Sequence, residues 1–376
     1  PNMGFRDLVI QRRENDLVAA SFGRGFYVLD DYSPLREMNS ATLNQKAKLF
    51  TPRTAKWFIP KSSLGNTGSD FYIAKNPLFG AVFTYYLRDD YYTNEELRQK
   101  REEIANEKMI DIPFPGYLSL DEEKRDQAAQ IWISISDEDG NVVRHLKEKA
   151  RKGSHRVAWD LRHSSTMAID PKVISLRESV GPMVTPGIYS AVLSLEEDGV
   201  VIPLSESVSF ELKPIRKGVL QGVDYATINS YRNEIAQFEL SFLAFKDELM
   251  QVENIIVGLK KALKSTPVKV KKFVSQLYEI ESDINLLHDK FYGSPSRKEV
   301  GEKYPPTVEL RLRIAKRGLS TSYGPTGLHR SSFNMAKNML KNILPSLAEL
   351  KNNVMTLSEE MKSVGAPYIK GANNIK

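Results

Sequence analysis

The 376-residue chain is long enough for two or three domains, and its 41% hydrophobic and 9% aromatic residues exclude a wholly disordered protein. The lack of cysteine excludes disulfides, thiol nucleophiles and thiolate metal sites, and no apolar run reaches the roughly eighteen residues of a membrane span. The net charge of +6 is uneven, because residues 222–376 hold 23 Lys and Arg against 16 Asp and Glu, whereas residues 1–221 hold 30 against 31.

The first segment predicts a meander of three short strands. Polar residues 12–16 and the glycines at positions 23 and 25 separate the apolar runs 8–10, 17–20 and 26–29. Three short strands alone are marginal in water, so we expect them to dock on a neighbour or to complete a larger sheet. Because Pro1 stands directly before strand-like sequence, we expect the chain to be a piece of a longer protein.

Residues 38–75 are predicted to be a connector. A short helix at 41–48 has Ser40 or Asn39 as its cap, residues 49–58 are expected to be extended, and the Gly-, Ser- and Asn-rich run 61–70 is typical of an exposed loop.

Residues 76–215 predict an antiparallel β-sandwich. Runs rich in β-branched and aromatic residues indicate strands at Ala81–Leu87, Ile131–Ser136, Val142–Leu146, Arg156–Leu161, Gly187–Leu195 and Val200–Leu212. Asp139-Gly140 and Asp198-Gly199 are good hairpin turns, because glycine tolerates positive φ. The insertion 93–130 contains two charged helical pieces and is expected to project from one end of the sandwich.

Residues 222–376 predict an antiparallel three-helix bundle. Apolar residues recur at steps of three and four from Ile228 to Leu263, from Val270 to Phe291 and from Phe333 to Val364. The short turn 265–267 makes the first two helices antiparallel neighbours, and residues 292–330 form a longer crossing with a short helix after Pro305-Pro306. Pro345 is expected to kink the third helix. The apolar seam serves the bundle's own core or, alternatively, receives a partner helix.

Four short stretches have both a structural and a chemical interpretation, and the structural one is favoured in each. Asp30-Asp31 could supply catalytic carboxylates, but neighbouring strand residues point to opposite faces, so we expect strand-exit caps. Arg24 either binds a carboxylate or pairs with a neighbouring part of the larger sheet that the meander would complete. The run 159–162 (WDLR) is expected to be structural, and 137–140 (DEDG) to form a hairpin rather than a calcium loop.

No motif predicts a catalytic, cofactor or metal site. The five histidines, His145, His155, His163, His288 and His329, form no zinc-binding helix motif, and the sequence lacks a nucleophile elbow and a phosphate-binding glycine loop. We therefore expect no catalytic residue, no cofactor and no metal in this chain.

The basic segment 311–330 (RLRIAKRGLSTSYGPTGLHR) is the candidate for binding an anion or a partner. It contains no acidic residue, and its candidate site residues are Arg311, Arg313, Lys316, Arg317, Tyr323, His329 and Arg330. The favoured interpretation is that this crossing loop packs on the bundle and pairs with acidic surface on the β half of the chain, whose residue counts are slightly acidic. A ligand or partner anion is the alternative; nucleic acid, which cations and an aromatic could also bind, is not expected.

The run 15–37 (NDLVAASFGRGFYVLDDYSPLRE) resembles the last blade and exit segment of sortilin-like, bacterial-neuraminidase-repeat propeller proteins, often labelled glycosyl hydrolases in Bacteroidetes-type bacteria. The runs 76–87, 137–146, 153–162 and 185–194 are similar to the second domain of that family, in the same order. The resemblance implies a propeller followed by an immunoglobulin-like domain and a helical tail. The chain departs from the family pattern in lacking most of the propeller and the Asp-box repeat.

The resemblance implies a non-catalytic C-terminal scaffold and interaction region of an exported protein, located in the periplasm, at the cell surface or outside the cell. Its partners would be the remainder of its own propeller and a protein or glycan, with no nucleic acid and no membrane span. The alternative is an accessory part of a glycoside hydrolase-like enzyme whose active site lies in the missing propeller.

Overall fold

A computed structural model describes residues 3–23, 25–60, 68, 76–167, 169, 180–216, 218–266, 271–367 and 369. The described residues form a mixed α/β structure with nine helices and several antiparallel sheets. The chain divides into two compact units, which we call the β unit (residues 1–164 and 186–217) and the helical unit (residues 165–185 and 218–376).

The elements of the two units follow in chain order. The strands of the β unit are β1 (Phe5–Gln11), β2 (Asp16–Ser21), β3 (Gly25–Leu29), β4 (Ala47–Leu49), β5 (Ala55–Trp57), β6 (Ala81–Leu87), β7 (Gln130–Ser136), β8 (Val142–Lys149), β9 (Gly153–Trp159), β10 (Arg162–Ser164), β12 (Gly187–Glu197), β13 (Val200–Pro203) and β14 (Val208–Pro214). Its helices are α1 (Ser33–Glu37), α2 (Ser40–Asn44), α3 (Asn94–Glu107) and α4 (Tyr117–Glu123). The helical unit contains β11 (Val180–Met183), α5 (Tyr225–Leu263), α6 (Lys271–Phe291), α7 (Pro295–Glu299), α8 (Val308–Arg317) and α9 (Gly327–Ser363).

The predicted meander is confirmed as a three-stranded antiparallel sheet in the order β1-β2-β3. Val9, Val18 and Val28 lie side by side across the three strands. Asn15 adopts a positive φ of 57° in the turn before β2, a conformation that asparagine tolerates better than most residues.

Two larger sheets form the rest of the β unit. One has the order β5-β14-β12-β7-β8 with β13 paired to β12, and the other has the order β4-β6-β9. The alternation in β7 explains their packing, since Ile131, Ile133 and Ile135 are fully buried while the intervening side chains point to the opposite face.

Aromatic side chains from both sheets fill the space between them. Trp159 at the end of β9 has no exposed surface, and its ring lies 5.3 Å from that of Tyr189 on β12. Phe83 on β6 lies 5.4 Å from Phe210 on β14, again edge to face. The indole Nε1 of Trp159 donates to the carbonyl of Arg162 at 2.9 Å, so the buried polar atom is satisfied.

The sheets differ from the sequence prediction at two places. Segment 38–75, predicted to be a connector, supplies β4 and β5, and β5 pairs with β14 in parallel, whereas a wholly antiparallel sandwich was expected. The run predicted as one strand, Val200–Leu212, is two strands, because the amides of Leu204 and Ser205 both turn back to the carbonyl of Leu193.

The insertion contains two helices, as its sequence predicts. The N-cap residue of α3 is Thr93, whose hydroxyl accepts from the amide of Glu96 while the Glu96 carboxylate accepts from the amide of Thr93. Arg98 of α3 joins the helices by donating to Glu123 of α4 at 2.9 Å. No residue of α3 is buried, so this helix stands on the surface of the unit.

The helices α5, α6, α8 and α9 share one apolar core. Two contacts show that α5 and α6 run antiparallel, as predicted: the ring of Phe245 stacks on that of Phe291 at 4.7 Å, and Lys260 pairs with Glu281 at 2.6 Å. Helix α9 runs parallel to α5, because Tyr231 meets Phe333 and Glu248 meets Lys351.

Helix α8 adds a fourth helix to the core predicted for three. It begins after Thr307, whose hydroxyl accepts from the amide of Leu310, and it buries Val308, Leu312 and Ala315. A ten-residue helix has too few apolar residues to show a heptad repeat, so its part in the core could not be predicted from periodicity. Helix α9 is continuous through Pro345, while Pro267 and Val270 of the predicted turn and second stripe lie outside the described residues.

Gly80 makes a backbone contact that no other residue type could make. Its φ is +103°, and a Cβ atom built on it would lie 1.9 Å from the carbonyl oxygen of Trp159. We expect Gly80→Ala to lower the free energy of unfolding by about 2–4 kcal/mol, because both the backbone strain and the clash oppose the native state. Urea unfolding followed by near-ultraviolet circular dichroism measures this change.

Gly140→Ala is the matched control, since Gly140 also has a positive φ (+81°) but no atom lies within 4 Å of its added Cβ. It should cost only about 1–2 kcal/mol, the price of the left-handed conformation. Equal losses for the two variants would show that the Trp159 carbonyl contact is unimportant.

Candidate functional site

The meander exposes apolar side chains on both of its faces. Val9, Val28 and Phe26 lie on one face, with Phe26 78% exposed. Leu8 and Ile10 lie on the other, with Leu8 60% exposed. A sheet that exposes this much apolar surface on both sides is typical of an element whose neighbours are other protein segments.

The basic segment forms α8, the following turn and the start of α9, all in the helical unit. Lys316 on α8 forms an ion pair with Glu239 on α5, a carboxylate residue that is only 8% exposed. The other carboxylate oxygen of Glu239 accepts from the hydroxyl of Thr166 at 2.9 Å. Both oxygens of this buried charge are therefore hydrogen-bonded, as a buried carboxylate requires.

Three other predicted site residues also have contacts within the helical unit. Nδ1 of His329 accepts from the amide of Thr326 at 3.0 Å and caps the start of α9. The guanidinium of Arg330 lies 5.1 Å from the ring centroid of Tyr231, and the carbonyl of Tyr323 accepts from the amide of Val223 at 2.9 Å. These contacts support the interpretation that the segment packs on the helices.

Arg311, Arg313 and Arg317 project from α8 without such contacts. Within the part of the chain that the structure describes, none of the three forms an ion pair or a side-chain hydrogen bond, and Arg313 and Arg317 are exposed. Arg313 and Arg317 are four positions apart in the helix, so their charges lie on one side of it. Binding of an anion or an acidic partner at this segment stays a prediction, now centred on these arginines.

An open cleft of about 490 Å³ lies in the β unit beside the meander. Glu14, Asp16 and Asp30 contribute carboxylates to its lining, and Phe58 and Phe79, whose rings meet edge to face at 5.0 Å, contribute an apolar wall. The cleft therefore joins charged and apolar surface in the way that small-molecule and peptide sites do.

Three cations surround the carboxylate of Glu14 and balance its negative charge. Its carboxylate accepts from Lys56 at 2.5 Å and from Arg53 at 3.3 Å, and Arg13 lies 3.2 Å away. The hydrogen bond from Lys56, followed by the attraction of the nearby cations, lowers the pKa of Glu14 despite partial burial. An ionised, fully engaged carboxylate of this kind positions the strand turn and is poorly suited to act as a general acid.

The strand exit behaves as the sequence predicts. The side chain of Asp31 accepts from the amide and the hydroxyl of Ser33, and the carbonyls of Asp30 and Asp31 accept from Arg156 at 2.7 and 2.9 Å. Asp31 therefore caps the exit from β3, while the Asp30 side chain lines the cleft. Arg24 lies outside the described residues.

The two other stretches with a chemical alternative are structural. The side chain of Asp160 accepts from the amide of Arg162 at 3.1 Å, which ties the turn after buried Trp159. The side chain of Asp137 accepts from the amides of Asp139 and Asn141 and thereby closes the β7–β8 hairpin. Among the described residues, no group of three or more His, Asp or Glu side chains could hold a metal ion.

A second hollow of about 360 Å³ lies in the helical unit and is lined by residues of α5, α6, α7 and α8. Tyr292 lines it beside His288, with the ring centroids 4.8 Å apart. Burial, then the charges of Glu309, Glu253 and Asp247, raise the pKa of Tyr292 to about 12. A phenol that keeps its proton at neutral pH can donate a hydrogen bond but is not a nucleophile.

The comparisons with known proteins identify no relative: no protein-family model and no curated protein matches the chain. No helix among the described residues has the length and hydropathy needed to cross a membrane.

Two residues that organise these sites could not be recognised from the sequence. Glu239 occupies a core-facing position of α5, where an acidic residue among apolar ones is the only signal of a buried ion pair. Glu14 lies in a polar turn that gives no sign of contact with Arg53 and Lys56, nearly forty residues later.

We expect Lys316→Met to lower the free energy of unfolding by about 2–4 kcal/mol, because it leaves the buried Glu239 carboxylate without its cation. The double variant Lys316→Met with Glu239→Gln should recover part of this loss, since a neutral amide costs less to bury. Chemical unfolding of the four members of this cycle measures the coupling.

Arg313→Met, one turn away on an exposed surface, is the control and should change stability by no more than about 0.5 kcal/mol. A loss for Lys316→Met as small as that of the control would mean that the Glu239 ion pair does not form.

Glu14 predicts a pH-dependent contribution to stability. Because its pKa is lower in the folded protein than its ordinary value of 4.5, its stabilising effect is complete above that value and is lost as pH falls through the folded pKa. The stability difference between the wild type and Glu14→Gln should therefore be largest above about pH 5 and should shrink toward about pH 3. Urea unfolding across this range measures it.

Glu37→Gln is the control, because Glu37 is exposed and no ion pair of its side chain is found among the described residues. A wild-type advantage over Glu14→Gln that stays constant across the pH range would contradict the prediction.

Proposed function

We propose that this chain is a non-catalytic scaffold and interaction region of an exported propeller protein. In this proposal β1–β3 are strands of the last blade, the two facing sheets are an immunoglobulin-like β-sandwich, and α5, α6 and α9 form a C-terminal bundle that α8 supplements. The fold and the order of its parts support the proposal, together with the resemblance of residues 15–37 to an exit segment.

The single observation that carries the proposal is the exposure of both faces of the meander. Leu8 and Ile10 on one face and Val9 and Val28 on the other would each be buried if a sheet packed on either side. Blades of a propeller are packed on both faces in this way, whereas an ordinary sheet of a globular domain has at least one face on its own core.

The sites of the described residues favour binding over catalysis. Glu14 is engaged by three cations, Asp31 caps a strand exit, and Tyr292 keeps its proton at neutral pH. The exposed arginines of α8 suit an acidic protein surface, and the export of the protein is proposed on the resemblance alone.

The second candidate function is an accessory role in a glycoside hydrolase-like enzyme. The cleft beside the meander favours it, because Asp16 and Asp30 line this cleft close to the surface that the rest of the propeller would cover. In that case the catalytic carboxylates would belong to other blades, and this chain would supply a wall of the substrate cleft.

The proposal predicts that substitutions on either face of the meander matter only in the larger protein. The paired changes Leu8→Thr with Ile10→Thr and Val9→Thr with Val28→Thr keep β-branched or polar strand residues but place hydroxyls on each face. In the chain alone each pair should change the free energy of unfolding by less than about 1 kcal/mol. In the larger propeller protein of this proposal, each pair should lower the free energy of unfolding by about 2–4 kcal/mol, because buried apolar groups are lost.

Val200→Thr on β13 is the control, since Val200 is 57% exposed but lies outside the meander; it should have little effect in either context. The scaffold proposal fails if neither face is sensitive in the larger protein. It fails equally if this chain alone turns over glycosides or peptides and one carboxylate change abolishes that activity.

A further inference from the structure

The outer face of the larger sheet carries a cluster of side chains unlike the rest of that face. On β7 the three isoleucines point into the core, and Trp132 and Ser134 therefore point outward. On the neighbouring strand β8, Lys147 stands directly opposite Trp132 and His145 directly opposite Ser134. Glu196 of β12 completes the group, which we call the Trp132 cluster (Trp132, Ser134, His145, Lys147 and Glu196).

The indole of Trp132 is held in place by charged neighbours. Its Nε1 donates to Oε2 of Glu196 at 2.5 Å, and the ammonium of Lys147 lies 4.0 Å from the ring centroid. Lys147 is also 3.9 Å from the same carboxylate oxygen. Two strands thus fix the ring from both sides, so little conformational freedom remains to be lost when a ligand packs on it.

The polar atoms beside the indole have capacity for more hydrogen bonds. Oε1 of Glu196 has no partner among the described residues, and Nδ1 of His145 is engaged with the hydroxyl of Ser134 at 2.9 Å, which leaves Nε2 of the ring for a ligand. Burial lowers the pKa of His145, so the imidazole is neutral at neutral pH and can either donate or accept.

Small side chains and an open hollow adjoin the cluster. On β12, Val192 stands directly opposite Ser134 and Ser194 directly opposite Trp132. Of the cluster, Lys147 lines the hollow of about 460 Å³, together with Gln130 and Lys149. An aromatic ring, a free carboxylate oxygen and an imidazole beside a shallow hollow can bind a pyranose, whose C–H face packs on the indole while its hydroxyls meet the polar atoms.

A hydrolytic role for the Ser134–His145 pair does not follow. A nucleophilic serine needs a base whose second nitrogen is oriented by another group, and among the described residues no carboxylate contacts Nε2 of His145. The indole beside the pair instead favours binding without bond cleavage.

We propose that the Trp132 cluster is a binding site for one pyranose unit of a glycan. The sugar packs on the part of the half-buried indole that Lys147 and the ring of His145 leave accessible; the His145 ring meets the indole edge to face, with the centroids 5.3 Å apart. The carboxylate of Glu196 and the imidazole of His145 take the sugar hydroxyls. This inference rests on the proposed interaction role and deepens it, since it gives that role a glycan ligand and names the residues that would bind it. A sugar carboxylate, where the glycan is acidic, would be held by Lys147 and Lys149.

Isothermal titration of the full chain with cellohexaose, xylohexaose, galactohexaose and hexagalacturonate tests the site. We expect at least one of these glycans to bind, and Trp132→Thr to weaken that binding by at least about tenfold. Glu196→Gln, which keeps an acceptor for the indole but loses the charge, should weaken it by a smaller factor. A preference for hexagalacturonate that is lost in Lys149→Ala would identify an acidic glycan. An equal loss of affinity in Trp132→Thr for the neutral hexasaccharides would identify a neutral one.

Trp57→Phe is the matched control, because Trp57 is a half-buried tryptophan on strand β5 of the same sheet and lies outside the cluster. It should leave affinity unchanged. The site is overturned if none of the four glycans binds below about 10 mM, or if binding survives in Trp132→Thr with unchanged affinity. Capture of a protein by an intact Trp132 surface without glycan binding would also overturn the glycan site. None of these results bears on the scaffold role, because that role is tested by the meander variants.

Discussion

The β unit depends on the contact between its two sheets, and Trp159 is at the centre of that contact. The indole fills the space between the layers and its one polar atom bonds to the turn that follows it. The backbone of Gly80 lies against the Trp159 carbonyl so closely that no side chain fits between them. Apolar area of this kind, removed from water, is the main favourable contribution to folding.

The same requirement for covered apolar surface is met in most of the described molecule but not in the meander. The facing sheets cover each other, and α5, α6, α8 and α9 cover each other around a shared core. The meander does not follow this pattern, since its valines and leucines remain accessible on both sides. The facing sheets and the four helices therefore cover their apolar surface within this chain, whereas the meander keeps apolar side chains exposed on both faces.

Local patterns predicted most of the elements, and contacts between distant residues decided what the sequence could not show. The alternation of Ile131, Ile133 and Ile135 predicts a strand with one core face, and the heptad stripe from Ile228 to Leu263 predicts α5 nearly to its ends. The parallel pairing of β5 with β14 joins segments about 155 residues apart, which no local pattern encodes.

The candidate sites show the same division. The sequence indicated the basic segment as a unit, but only the structure separates Lys316, bound to Glu239, from Arg313 and Arg317, which remain exposed. The Trp132 cluster was not recognised, although a tryptophan between two buried isoleucines is a local signal of an outward aromatic ring. Glu196 and Lys147 come from other strands, so their approach to the indole depends on sheet register.

Pro345 has a consequence for the backbone hydrogen bonds of α9, one of the two long helices of the helical unit. Proline has no amide hydrogen, so the carbonyl one turn earlier, at Lys341, lacks its usual helical donor even though α9 continues past this point. The apolar stripe on either side, from Ile343 to Leu347, remains buried against the core. Helix α9 therefore passes Pro345 with one backbone hydrogen bond fewer than a regular helix, and the buried side chains on both sides of this turn hold it against the core.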